Sequence, residues 1–314
     1  MGSRDTVEAV QRMQDYMEEH LLVPITMKQL ARAAGYSPWH AARIFREELG
    51  KSPFEYLRAL RLSRAALKLR DEPVRVLDVA LEFVFDSHEG FTRAFSRTFG
   101  VTPSRYKAHP QPIGLFMPHG IADYYRFLEN EVKQMKSDHN AAVQTVFVQI
   151  VERPARKLIL KRGIKAEHYF DYCEEVGCDV WGLLTSVKEA LYEPVGLWLP
   201  DSLIRPGTSR YVQGVEVPAD YTGIVPEGYE LIDLKPCTMM VFQGEPYEDE
   251  TFGERIQEIW LAMENYDPTV YGYAWADDEA PRFQLEPQGF RGYIEARPVR
   301  RLIHDQTGMT AMTP

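Results

Sequence analysis

Two sets of side chains in this 314-residue chain have the types and spacing to do chemistry. The first is written twice. Trp39, His40, Arg43 and Arg46 fall on the polar side of one helical stretch, and His88, Glu89, Thr92, Arg93 and Arg97 on the polar side of another about fifty residues on. An arginine fork matches guanine O6 and N7, and a carboxylate accepts from cytosine N4, so such faces can read base edges in a major groove. The second set lies near the C-terminus, where Tyr293 and Glu295 alternate to one side of a strand. Trp181, Tyr211, Tyr247, Tyr271, Tyr273 and Trp275 stand on other elements of that half and complete a candidate small-molecule pocket. The chain shows no nucleophile triad, no HExxH metal spacing and no phosphate-binding glycine loop, so no catalytic residue, metal ligand or cofactor is expected.

A charged stripe on a lone helix is usually a solvated face, but here the elements that carry the stripes are duplicated. Ser37, Arg43, Phe45, Gly50, Pro53 and Tyr56 recur as Ser87, Arg93, Phe95, Gly100, Pro103 and Tyr106. Leu30-Ala31 and Val79-Ala80 correspond one residue out of step, so the second copy carries one residue more in its turn. Val7, Val10, Met13, Met17 and Leu21 predict an amphipathic opening helix that Pro24 ends. Thr26 with Gln29, and Ser52 with Glu55, have the form of capping boxes. Ser37-Pro38 opens a helix that Gly50 closes, and a long helix from Ser52 to Arg70 spaces the copies. Helices over 75–83 and 87–99, joined by a turn at Val84–Asp86, make the second copy, and Thr102-Pro103 caps a short last helix. Two helix–turn–helix units on a rigid spacer suit successive major-groove segments about one helical turn apart.

Charge divides the chain in the same way. The formal net charge is -10, yet residues 1–110 carry a small excess of Lys and Arg, which leaves the acidic surplus to the remainder. That asymmetry points to a nucleic-acid-facing half joined to a half with another task. Cys173, Cys178 and Cys237 form no CxxC pair and read as reduced thiols. With no signal-like segment and no apolar run of membrane-spanning length, a soluble, cytoplasmic protein is expected.

Residues 7–107 resemble the DNA-binding domain of the AraC/XylS family of transcription regulators. The resemblance is carried by Gly35-Tyr36-Ser37-Pro38-Trp39-His40 and by Phe85-Asp86-Ser87 with Phe91-Thr92-Arg93-Ala94-Phe95. It implies monomer-level binding to an asymmetric double-stranded promoter site through both recognition helices, with RNA polymerase as a further partner. Trp39 and Arg43 would contact bases or adjoining backbone from the first helix, and His88, Glu89, Thr92 and Arg93 from the second. Three residues depart from the family pattern. Val84 stands where Gly is frequent, so a left-handed turn is costly there. Ala41 replaces a larger apolar residue, and Glu89 replaces a neutral polar one and would repel phosphate.

From Ala108 to Gly120 the chain is Pro-rich and reads as a linker, followed by a helix over 121–136. Strands are expected at 145–151 and 156–162. One long amphipathic helix follows through Phe170, Cys173, Gly177, Val180, Leu184, Val187 and Leu191, then strands at 196–199 and 211–217. The pattern repeats with a strand at 238–243, a helix carrying Phe252, Ile256, Ile259 and Met263, and strands at 282–285 and 292–297. The expected fold class is thus an all-α double helix–turn–helix domain followed by an α+β domain, two β-α-β-β units forming a curved antiparallel sheet. The expected boundaries are 1–108, a linker at 109–142, the second domain at 143–305 and a tail at 306–314.

This second half resembles GyrI-like small-molecule-binding domains in its element order, in the strand Gly214-Val215-Glu216-Val217 and in a closing strand ending Ala296-Arg297-Pro298-Val299. The resemblance implies a buried glutamate and an aromatic box that take apolar or cationic molecules through cation–π attraction and one desolvated countercharge. Glu295 is the candidate acid. A ligand-responsive transcription regulator, in particular an activator, follows. The competing readings are a hydrolase with Glu295 as base and a nearby Tyr, and a ligand-sequestering module tethered to DNA.

Overall fold

The computed structural model describes residues 4–118, 145–177, 179–248 and 251–302. The helix expected over 121–136 and the tail from 306 lie outside them. The described chain forms two compact units: residues 4–118 with 179–188, and residues 145–177 with 189–302.

The first unit is helical: α1 (Arg4–Glu19), α2 (Met27–Ala34), α3 (Pro38–Leu49), α4 (Pro53–Asp71), α5 (Val76–Glu82), α6 (His88–Phe99) and α7 (Pro103–Ala108). Both capping boxes form. The Thr26 and Ser52 side chains accept from the N–H groups of Gln29 and Glu55, whose own side chains return to the cap backbone. Helix α4 belongs to two cores at once. Its Leu57 and Leu60 join Met13, Met17, Leu30, Ile44 and Phe45, whereas its Leu62, Ala65, Ala66 and Leu69 join Val79, Phe83, Phe91 and Phe95. Each core holds one helix–turn–helix, and α4 is the rigid rod between them. Residues 110–118 have no regular structure but are not loose: Ile113 and Leu115 are buried in the second core, and the Phe116 N–H donates to Ser63 Oγ at 2.7 Å.

The second unit is an antiparallel sheet of β1 (Phe147–Arg153), β2 (Arg156–Arg162), β3 (Val195–Trp198), β4 (Tyr211–Pro218), β5 (Glu230–Leu234), β6 (Cys237–Gln243), β7 (Tyr273–Trp275), β8 (Arg282–Leu285) and β9 (Ile294–Arg301). The order is β1-β6-β9-β8-β3-β4-β2-β5, with β7 on β9. The two expected repeats are visible as β2…β3-β4 and β6…β8-β9, meeting where β3 pairs with β8. Each repeat's leading strand crosses over: β1 pairs with β6, and β5, absent from the sequence-based expectation, pairs with β2. Helices α8 (Tyr169–Val176) and α10 (Phe252–Asn265) also belong to this unit.

The long helix expected over 170–191 is two helices. Gly177, at φ +98°, caps α8, and a second helix, α9, runs over Asp179–Thr185. The Thr185 and Ser186 hydroxyls turn back onto the carbonyls of Trp181 and Leu183 at 2.8 and 2.6 Å, competing with the backbone bonds that would extend the helix. Helix α9 is part of the first unit. The Ile113 N–H donates to Ser186 Oγ at 2.8 Å, and Arg70 Nη1 donates to the Thr185 carbonyl at 2.7 Å. A Cβ at Gly182 would fall 1.9 Å from the Leu115 carbonyl oxygen, so only glycine allows this approach.

Candidate nucleic-acid interface and ligand site

The two turns that aim α3 and α6 are the same motif. The Tyr36 N–H bonds to the Ala31 carbonyl at 3.0 Å, and the Phe85 N–H bonds to the Ala80 carbonyl at 2.9 Å. Gly35 and Val84 therefore occupy one position, and the residue extra in the second copy is Asp86. Gly35 sits at φ +75° without strain. Val84 is held at φ +61° and is the one non-glycine residue with positive φ among those described. The β-branched side chain has not redirected the turn; it is strained within it. Ser37 and Ser87 cap the two helices, accepting from His40 and Gly90 at 3.3 and 3.0 Å, and Gly50 and Gly100 close them in the left-handed conformation.

On α3, Trp39 is 74% exposed and His40 half-buried, with Arg43 and Arg46 outward. The Arg43 guanidinium bonds Glu47 at 2.7 Å and lies 5.7 Å from the Trp39 ring, so cation, indole and carboxylate form one exposed cluster. On α6, Glu89, Arg93 and Arg97 are exposed and His88 is half-buried. Arg93 and Arg97 carry no ion pair among the described residues. Thr92 departs from expectation: its Oγ1 is enclosed and makes no hydrogen bond, so its hydroxyl is not presented to a partner. Ala41 is fully buried in the first core.

In the second unit the register places four residues in one row across the sheet centre. Gly196 pairs with Gln284 across β3–β8, Gln213 stands across from Gly196, and Glu295 across from Gln284. Two residues before Gln213 and Glu295 come Tyr211 and Tyr293, so the repeats give matching Tyr-x-Gln and Tyr-x-Glu edges to one face. All four side chains are buried. Gly196 is needed here: a Cβ would lie 2.1 Å from the Tyr211 hydroxyl. Glu295 is fully enclosed. Its Oε2 accepts from the Tyr293 hydroxyl at 2.8 Å and from the Trp260 indole N–H at 2.9 Å, and its Oε1 accepts from Arg282 Nε. Burial, with the Glu295 charge next in weight, pushes the Tyr293 phenol far above its ordinary range, so it stays protonated and donates. The Tyr211 hydroxyl receives the Gln284 amide at 3.4 Å, and burial raises its pKa too. The Gln213 carboxamide is enclosed beside Tyr211, and its hydrogen bond to that phenol partly offsets the effect of burial. Next along the face, Arg282 lies over Trp198 at 4.9 Å, and Trp198 packs edge-on against Tyr211 at 5.2 Å.

Tyr211, Tyr293 and Glu295 thus come together, and Tyr293 also shares one core with Tyr247, Tyr273 and Trp275. Trp181 is buried in the first unit, on α9. Tyr247, Tyr273 and Trp275 belong to the core beneath α10, along with Phe252, Ile259 and Met263. Tyr271 is 65% exposed and stacks on Tyr266; it lies in a 3-10 turn before β7, closed by Gly272 at φ +77°, so it does not share the strand alternation of Tyr273 and Trp275. The countercharge expected to await a cation is already met by Arg282. Trp260, Trp198, Gln284 and Arg282 are the neighbours that sequence reasoning missed. Arg282 and Gln284 carried a readable signal, lying two apart on an expected strand. Trp260 had only its place beside the apolar face of a helix.

The opposite face holds a second buried carboxylate, Glu216, closed by Arg153 and by Arg156 Nε at 2.8 Å. Glu216 thus ties two arginines, of which Arg156 is buried and Arg153 extends to the Tyr192 ring at 4.1 Å. Among the described residues no helix is long and apolar enough to cross a membrane.

Comparison with known proteins finds matches for the first unit. The family described as "Helix-turn-helix domain" matches residues 30–109. The right origin-binding protein of Escherichia coli is 42% identical over 96 residues, covering 31% of this chain and 33% of that protein. The transposon Tn10 TetD protein of Escherichia coli is 38% identical over 92 residues, 29% of this chain and 67% of that protein. The HTH-type transcriptional activator AarP of Providencia stuartii is 34% identical over 92 residues, 29% of this chain and 68% of that protein. The chain spans a third of the length of the first of these relatives.

Proposed function

The chain belongs to the AraC/XylS family of transcription regulators, and from that premise we propose that it is a sequence-specific promoter-binding activator. Its second unit, a GyrI-like domain, senses a small, largely apolar molecule. The observation that carries this reading is the doubled module: one turn motif aims α3 and α6 alike, each with exposed cations, on a single spacer helix. Trp39, His40, Arg43 and Arg46 contact one major-groove segment. His88, Glu89, Arg93 and Arg97 contact the next, with Glu89 limited to a cytosine amino group because phosphate repels it. RNA polymerase is the protein partner, in keeping with an activator among the relatives. The protein acts in the cytoplasm as a monomer on an asymmetric site.

For the second unit, support comes from the Tyr211–Gln213 and Tyr293–Glu295 edges meeting on one face. Tyr211, Gln213, Tyr293 and Glu295 are all buried polar side chains, a grouping whose desolvation an apolar core would avoid. The test is a fluorescence-anisotropy titration of promoter fragments, including the gene's own upstream region, with and without a panel of small apolar compounds. Sequence-specific binding that one compound shifts is expected. Binding indifferent to sequence would remove the regulator reading, and specific binding indifferent to every compound would remove the sensor.

A further inference from the structure

The ligand site on the Tyr211–Glu295 face, whose existence this inference takes from the reading above, has a polarity that one residue decides. We propose that Arg282 is its specificity-determining residue, so that the site accepts a planar apolar molecule bearing a carboxylate and disfavours cations. Glu295 is wholly enclosed, and three donors occupy it: Tyr293, the Trp260 indole and Arg282 Nε. An entering cation therefore meets no exposed carboxylate and must first displace a guanidinium from a buried partner, which strands a charge. Arg282, by contrast, is 34% exposed at its side chain, above a Glu295 that is 0% exposed. Only its Nε is used on Glu295; Nη1 and Nη2 make no hydrogen bond to the described residues. These free N–H groups match a carboxylate in fork geometry.

The surroundings suit such a ligand. The guanidinium lies 4.9 Å from the Trp198 ring centre, and that ring is fixed by its indole N–H on the Glu167 carbonyl at 2.8 Å. Tyr211, itself fully buried, meets Trp198 edge-on and backs that ring from β4, leaving Trp198 to receive the apolar body. Beside it stands Gln213, a buried amide. Glu295 thus acts as a positioning residue for Arg282, orienting the cation that selects the ligand.

The experiment uses the full chain and three probes on one skeleton, naphthylacetate, naphthylacetamide and naphthylmethylamine, titrated by calorimetry. Naphthylacetate should bind about ten-fold or more tighter than the amine. Arg282→Gln should invert that order by exposing an uncompensated Glu295, and Arg282→Lys should keep the anion preference with weaker binding. Circular dichroism checks that each variant is folded; if Arg282→Gln is not, the order in the wild type and in Arg282→Lys decides. The amine binding tighter in the wild type, or an unchanged order in folded Arg282→Gln, overturns the role of Arg282 while leaving a ligand site in place. Failure of all three probes to bind wild type removes the ligand site itself, and this inference with it.

Discussion

Arg43, proposed to read a base from α3, is already held by Glu47 at 2.7 Å one helical turn away. On the reading proposed here, Arg43→Ala should lose about 1–3 kcal/mol at the base it contacts and relax specificity there. Glu47→Ala should strengthen binding instead, by about 0.3–0.5 kcal/mol, the worth of an exposed i,i+4 pair. Anisotropy titrations of both variants at one salt concentration check the opposite signs. Glu55 gives a second test at this scale. Its bonds to the Ser52 side chain and backbone hold its carboxyl below the usual range. The stabilisation is therefore present above the ordinary carboxylate pKa and is lost as pH falls through the lowered folded value. Glu55→Gln should keep the capping box, as Gln29 does in the first one, and acid-dependent thermal melts should show its part of the pH dependence gone. At residue scale the outward side chains of α3 and α6, Thr92 apart, were legible because helical periodicity separates them from a clear apolar face. In the proposed ligand site, the expected pairing of Tyr293 with Glu295 on one side of a strand is present as a hydrogen bond. Strand alternation says which side a residue faces, but not that a neighbour such as Arg282 will take up the carboxylate it faces.

Caps, turns and breaks decided where the elements lie, and they were written in short local signals wherever backbone chemistry is local. Ser37-Pro38, Ser52-Pro53 and Thr102-Pro103 each start a helix as expected, and Gly50 and Gly100 each end one. The Phe170–Leu191 helix misled because its apolar spacing continues through Gly177, whereas α8 stops at that glycine, held at φ +98°, and α9 stops where the Thr185 and Ser186 hydroxyls bond backwards. Strand β5 was missed because its burial is slight, four of its five residues reaching the surface. Val84 shows the limit of reading a turn from residue type: the motif is strong enough to impose φ +61° on a β-branched residue. Val84→Gly should relieve that strain, and after glycine's greater entropy in the unfolded chain a gain of roughly 0.5–1 kcal/mol remains. Denaturant unfolding of the first unit measures it, and a loss of stability would mean that the Val84 side chain contributes packing that outweighs the strain.

Over the whole molecule, charge is unevenly shared. A net -10 chain with a mildly basic first third should release counterions only through that third. Promoter affinity should accordingly fall log-linearly with salt, at a slope of about -0.9 per phosphate contacted. The contribution of residues 179–188 to the first unit bears on a different experiment, the isolated DNA-binding fragment. A fragment ending at residue 118 leaves the Ile113 N–H without its Ser186 acceptor and uncovers the Leu115 backbone that Gly182 approaches. It should unfold at a lower temperature than the same unit in the full chain, and joining residues 179–188 to it through a flexible linker should recover much of the difference. The stretch shared with relatives ends near residue 109, yet the surface it needs is finished by a helix encoded some seventy residues later. Modular swapping of regulator heads and sensor tails, cut at that border, would transplant an open seam; in this chain the genetic module and the folding module have different edges.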